Sequence, residues 1–242
     1  IQGVNSSYHA LQASIRRRSK NGLTLMASYT FGKAMDHNSN TNNSTTGSQR
    51  IPQDILDFGR DWALADYHRT HQFSGTFNWV LPFGRGRAYF NGVRGAADAL
   101  LSGWQLTMLS GRPFTPVFST VDTAGGRPDL VGDPMENVPE GLYFNPAAFA
   151  RPVATPEDPT LFGNAGRNIV IGPSYHNFDV SLFKNFRFRE KMRLQLRWEL
   201  FNVLNHPNFQ VPQHLLGTSD TARIRSTANE GREMQFAARF TF

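Results

Sequence analysis

Long stretches of this chain alternate apolar and polar residues one by one, and a period of two is the mark of a strand whose two faces differ. Met192, Leu194, Leu196, Trp198 and Leu200 fall on one face; Arg193, Gln195, Arg197 and Glu199 fall on the other. Met234, Phe236, Ala238, Phe240 and Phe242 oppose Glu233, Gln235, Ala237, Arg239 and Thr241. Phe178, Val180 and Leu182 oppose Asn177, Asp179 and Ser181. Weaker versions run through Leu11–Arg16, Leu23–Phe31, Gln72–Leu81 and Trp104–Met108. The pattern predicts about seven strands, near 6–18, 22–32, 68–81, 101–111, 175–187, 191–203 and 232–242.

Two architectures alternate in this way: a soluble or surface-attached β-sandwich with a binding or adhesion role, and a transmembrane β-barrel. The connections separate them. Ser19-Lys20-Asn21-Gly22, a segment opening with Pro82-Phe83-Gly84, and a few residues around Arg189-Glu190 join strands in pairs. The other three connections, near 33–67, 112–174 and 204–231, are long. Up-and-down topology puts the short turns at one end and the long loops at the other, as outer-membrane barrels do with periplasmic turns and extracellular loops. With Phe242 at the periplasmic rim, every long loop counts back to the outside. The expected fold is therefore an all-β, antiparallel, up-and-down transmembrane barrel segment, with 1–242 as one domain.

Composition permits this. Mean hydropathy is −0.42, and no apolar run reaches the roughly 18 residues of a spanning helix. A spanning strand needs only about 9–11 residues, half of them polar. Aromatics make up 12% of the chain and include 20 Phe, which suits interfacial girdles. Trp79, Trp104 and Phe242 map to the turn end. On this reading Met192, Leu194, Leu196, Trp198 and Leu200 face lipid. Asp179, Arg193, Gln195, Arg197, Glu199 and Arg239 face the lumen.

The net charge of +6 does not indicate nucleic acid. The basic residues gather at turns: Arg16, Arg17, Arg18 and Lys20; Arg85 and Arg87; Arg187, Arg189 and Lys191. There is no Cys, which excludes disulfides, zinc–thiolate sites and thiol catalysis. No phosphate-binding loop, zinc-protease, nucleophile-elbow or dinucleotide motif occurs, so neither an enzyme nor a cofactor is expected. His68 and His71 would lie on opposite faces of one strand. Asp122, Asp129 and Asp133, near Gly125 and Gly126, miss calcium-loop spacing and read as solvated loop acids. Residues 38–48 are a polar tract, and 112–174 is rich in Pro and Gly; a loop that long is usually functional or disordered. Ile1-Gln2-Gly3-Val4 has no initiator Met and no signal-peptide pattern, so the chain is expected to begin inside a longer polypeptide.

Gln235, Ala237, Phe240 and Phe242 resemble the C-terminal assembly signal of outer-membrane barrels, in which an exposed terminal strand pairs with the assembly machinery. Other segments are similar to TonB-dependent receptors. Leu200-Phe201-Asn202-Val203-Leu204-Asn205-His206-Pro207-Asn208-Phe209 resembles their penultimate strand and its loop. Phe178–Phe186 and Leu25–Lys33 resemble other barrel strands. Phe144-Asn145-Pro146-Ala147-Ala148-Phe149 and Phe162-Gly163-Asn164-Ala165-Gly166-Arg167-Asn168 resemble the Oar-like branch. The resemblance implies a barrel of about 22 strands with a plugged lumen. It also implies active uptake of a substrate energised through TonB, and TonB contacts made by N-terminal parts outside this chain. The partners implied are outer-membrane lipid, the assembly machinery and an unidentified transported substrate.

Overall fold

The computed structural model describes residues 5–19, 22–39, 53–54, 56–79, 104–109, 113–118, 126–157, 159–187 and 192–242. Seven long strands carry it: β1 (Ser6–Arg18), β2 (Leu23–Asp36), β3 (His71–Trp79), β4 (Trp104–Leu109), β5 (Tyr175–Arg187), β6 (Arg193–Phe201) and β7 (Glu233–Thr241). They pair in chain order, each antiparallel to the next, as one continuous meander. A sandwich needs a second sheet packed on the first; these strands form a single sheet.

The observed strands differ from the alternation in two instructive places. β2 runs past Phe31 to Asp36 because both flanks offer partners: Ser6 opposite Asp36 on β1, and Ala63–Leu64 opposite Asp36 and Met35. Lys33 interrupts the apolar face there and hides the extension from the pattern. β3 begins at His71, so His68 is not on the strand. It is buried beneath the chain leading in, and the opposite-faces expectation for the two histidines does not hold. Four ends of three predicted strands (80–81, 101–103, 110–111 and 191), Pro82-Phe83-Gly84, residues 40–48, Asp122 and Gly125 lie outside the described residues.

The first turn is built as its sequence suggests. Ser19 donates its N–H to Leu23 O at 2.7 Å, and Gly22, at φ 78°, donates to Ser19 O at 3.2 Å. An Asn-Gly pair favours such a reversal because its Gly takes positive φ without strain.

Register across the sheet reveals its tilt. Arg17, Leu25, Phe77, Trp104, Val180, Leu200 and Met234 share one row across all seven strands. Beyond that row β1–β2 pairs only once more, at Arg18–Thr24, whereas β5–β6 continues to Arg187–Arg193. The stagger between the two hairpins is six residues. At about 3.4 Å per residue, over four strand spacings of about 4.8 Å, level hairpins require strands tilted by about 45°. That is the tilt of a barrel wall.

The three long connections meet at the other end of the sheet. The second and third are joined by parallel pairing of Val117–Phe118 with Leu215–Leu216, and by Tyr143 N–H donating to Ala222 O at 2.8 Å. The first and second are joined by the polar cluster described below. Together they enclose a core of Phe114, Phe144, Ala148, Phe149, Ala165, Val170, Leu216 and Ala222. Phe144 packs edge-on against Phe149 at 5.9 Å and tilted against Phe114 at 5.8 Å. The Pro- and Gly-rich segment that reads as loop is thus the driest part of the described molecule.

Candidate functional site

The register gathers most apolar side chains on one face of the sheet. One face carries Leu11 and Ile15, Leu25 and Tyr29, Phe73 and Phe77, Val180 and Leu182, Leu194 to Leu200 at every second position, and Phe236 and Phe240. Trp198 stacks on its cross-strand partner Phe236 at 5.7 Å and 5°, a pairing that is worth a few tenths to about 1 kcal/mol in a sheet. The structure puts Leu194, Leu196, Trp198 and Leu200 together on this apolar face; Met192 lies just before β6. Much of the face is bare: Leu11, Ile15, Phe236 and Phe240 are exposed, and Leu196 is 41% exposed.

The opposite face brings together Asp179, Arg193, Gln195, Arg197, Glu199 and Arg239. Arg197 lies over the Phe183 ring at 5.0 Å, is 3.8 Å from Glu199, and donates to Gln195 Oε1 at 3.3 Å. Gln195 donates to Asn185 Oδ1 at 3.1 Å and sits opposite Arg239. Asp179 has a different duty. It accepts from both Asn177 Nδ2 and the Asn202 N–H at 2.9 Å, which fixes the start of the third long connection. On β7, Gln235 and Ala237 share the polar face and Phe240 the apolar one. Phe242, 91% exposed, stacks on Phe240 at 6.1 Å.

A second cluster was not foreseen. Arg127 and Arg167 are buried among Asp36, Asp61 and Asp66. Arg167 reaches from the second connection to the end of β2. It pairs with the Asp36 carboxylate, donates to Asp36 O at 2.7 Å, and pairs with Asp66 at 3.1 Å. Arg127 pairs with Asp61 and donates to Arg60 O at 3.1 Å. Burial pulls Arg127 below the ordinary arginine range, and Asp61 opposes that shift. Asn168 donates to Leu64 O and to Asp66, both at 2.7 Å, and exchanges bonds with Thr115. Charges buried this deeply persist only when paired and hydrogen-bonded. They face one another across the connections, so the cluster is a clamp between them. Among the described residues no group of three or more His, Cys, Asp or Glu side chains is placed to hold a metal ion. Asp129 and Asp133 accept from the Asn164 and Met135 backbones instead.

Two clamp residues, Arg167 and Asn168, lie in a motif that the sequence made conspicuous for another reason. In Phe162–Asn168, a Cβ at Gly163 would collide with the backbone carbonyls of Arg127 and Pro128. Asn168 there adopts φ 56°. In Phe144–Phe149, both Phe residues and Ala148 are core, and Asn145 caps the short turn by accepting from Ala147 N–H. In Leu200–Phe209, Asn202 (φ 48°) bonds the His206 N–H, His206 O and Glu230 O. Asn208 bridges to both N–H and C=O of His176.

A tilted antiparallel meander with one apolar and one polar face, its long connections folded at one end, is the wall of a transmembrane β-barrel. The chain belongs to the outer membrane beta barrel domain family, whose model matches residues 2–235. Its place is the bacterial outer membrane, among structural and transport-associated domains rather than enzymes. No curated protein and no solved structure matches the chain.

Proposed function

We propose that this chain is a barrel segment of an Oar-like TonB-dependent receptor, serving active uptake of a substrate across the outer membrane. The observation that carries the reading is the folded cap. Three long connections close over one end of the sheet, and the segments resembling the Oar-like branch supply its core and its clamp. A simple porin wall needs no such structure. On this reading the apolar face, with Leu196 at its middle, is turned to lipid, and the face of Arg193, Arg197 and Arg239 lines the lumen. Gln235, Ala237, Phe240 and Phe242 present the terminal strand to the assembly machinery. The plug and the TonB-contacting segment belong to other parts of the parent protein, which alone can be energised.

These 242 residues contain no Cys, so single cysteines introduced here, read against the unsubstituted full-length parent as background, make orientation testable. Val153→Cys, in the cap, reacts with a membrane-impermeant maleimide on intact cells; Ser19→Cys, in the first turn, reacts only after the outer membrane is permeabilised. The reverse pattern would overturn the topology. The TonB step has its own test. The full-length protein should crosslink to the periplasmic domain of TonB, and failure to do so would leave a barrel of another transport class.

A further inference from the structure

On the polar face of β5–β7 the charges are sorted along the strands. Asp179, Glu199 and Glu233 stand toward the cap, and Arg193, Arg197 and Arg239 toward the turns. Arg197 reaches Glu199 at 3.8 Å. Glu233 stands about 20 Å from Arg239 along β7, at the rise of an extended strand.

A hollow of about 240 Å³ opens at the acidic end. The strand residues in its wall, Tyr175, Asn177, Asp179, Phe201 and Glu233, all fall on the polar face by register. The rest of the wall is Asn202, Asn229, Glu230 and Gly231, from the third connection. Among the described residues no base lines it. Asp179 and Asn202 are occupied by the bonds that fix that connection. Glu230 and Glu233 are not. Their carboxyl groups come within hydrogen-bonding reach of each other, and among the described residues neither pairs with a base. Two carboxylates so placed favour a cation between them.

Asn229 supplies an independent signal. Its Oδ1 accepts from the Asn208 N–H at 3.0 Å, which fixes the orientation of the amide. Its Nδ2 is buried and has no acceptor among the described residues. A donor stranded in this way calls for an acceptor from a ligand. Phe201, directly across from Glu233 and 39% exposed, adds an aromatic ring beside the carboxylates, and such rings attract cations. A cation carried close to a carbonyl answers all of these groups, and a lysine or arginine residue of a peptide carries both.

We propose that this hollow is a seat for a basic side chain of a peptide: the ammonium or guanidinium lies between Glu230 and Glu233 and against Phe201, and a neighbouring peptide carbonyl accepts from Asn229 Nδ2. This names a substrate class for the uptake proposed above, and it rests on the lumen-facing reading of the polar face.

The test titrates the full-length protein, in a neutral maltoside detergent, with end-blocked trilysine by calorimetry. Trilysine should bind, and its ε-acetylated counterpart, equal in amides but uncharged, should not. E230Q with E233Q should weaken trilysine about tenfold, since one exposed ion pair contributes a factor of about two to five. E157Q, at an exposed carboxylate outside the hollow, should change nothing. Spermidine, equal in charge but without a carbonyl, should bind more weakly than trilysine. N229D keeps the Asn208 bond but removes the donor, and should erase that difference. Equal binding of spermidine and trilysine by the wild type, an unchanged affinity in the double glutamate variant, or an equal loss in E157Q would overturn the seat. Nitroxides at Ser181→Cys and Leu182→Cys in bilayers test the lumen-facing reading apart from it. If oxygen dissolved in the bilayer relaxes the label at 181 more than the label at 182, that reading falls as well. If it relaxes it less, failure of trilysine to bind counts against the seat alone.

Discussion

The sheet and the cap bury their apolar residues by opposite means. In β7 every residue is exposed, aromatic or not, whereas Phe114 and Phe144 in the cap are 0% exposed. The cap excludes water with its own side chains and its own buried ion pairs. Among the described residues the sheet has no apolar partner of its own on its outward face; on the proposed reading the bilayer supplies one. A chain of negative mean hydropathy can therefore hold both a membrane wall and a water-facing folded domain. Half of each strand is polar, and the truly dry core is small.

The difference can be broken most forcefully at the clamp. Arg167→Met leaves Asp36 and Asp66 buried without their partner and should cost about 3–5 kcal/mol of cap stability. Hydrogen exchange should then show 113–118 and 163–170 opening while β5–β7 stay protected. Arg193→Met, on the exposed polar face of the sheet, should stay within about 0.5 kcal/mol by the same measurement. Equal losses would mean that cap and sheet are not separate stability units.

Next in size is the cap core. Phe144→Ala removes a ring packed on two others and should cost about 3–5 kcal/mol. Phe236→Ala, on the outward face, leaves a gap that detergent or lipid can fill. Its effect should be clearly smaller in a denaturant titration of the refolded full-length protein. Asn202→Ala removes one acceptor and two donor contacts at the start of the third connection and should cost about 1–3 kcal/mol. It should loosen 202–231 first.

How much of this was legible follows from where each signal resides. The seven strands were readable because alternation is local and repeats within each strand; Met234–Phe240 needs no knowledge of Leu194–Leu200. The limits of β2 and β3 were not, since Ala63–Leu64 and the His68 bonds are supplied by chain far from the strand edge they complete. The cap core was hidden for a related reason. Phe114, Phe144, Val170 and Leu216 come from separate loops and two-residue strands, too short for any period to reveal them. Proline and glycine richness read as a loop, functional or disordered, and gave no sign that Gly163 serves a close backbone approach. Arg167 lies in a segment noticed only through family resemblance. Its sequence neighbours give no sign that its partners are more than a hundred residues away, at Asp36 and Asp66.

The smallest expected effect is a pH dependence confined to the cap. Burial lowers the pKa of His214, and burial with nearby Lys33 and Arg69 lowers that of His68, from an ordinary 6.5. Each binds a proton more weakly in the folded cap than in the unfolded chain. Their neutral forms suit the folded state, so the cap is at full stability above about 6.5 and loses stability as pH falls through that value. Exchange at 113–118 and 211–222 should quicken from pH 7.5 to pH 5, and His214→Gln should blunt the change. Exchange in β5–β7 should not follow the same curve.

The central claim, that the bilayer takes the place of a core for the outward face, is tested most directly by one pair of neighbouring substitutions. Leu196→Arg and Gln195→Arg place the same charge on adjacent residues of β6, on opposite faces of the sheet. Unfolding of the full-length protein from lipid bilayers should show a cost of about 2–4 kcal/mol for Leu196→Arg and within about 0.5 kcal/mol for Gln195→Arg. Equal costs, or the larger one at Gln195, would contradict the assignment of lipid to the apolar face.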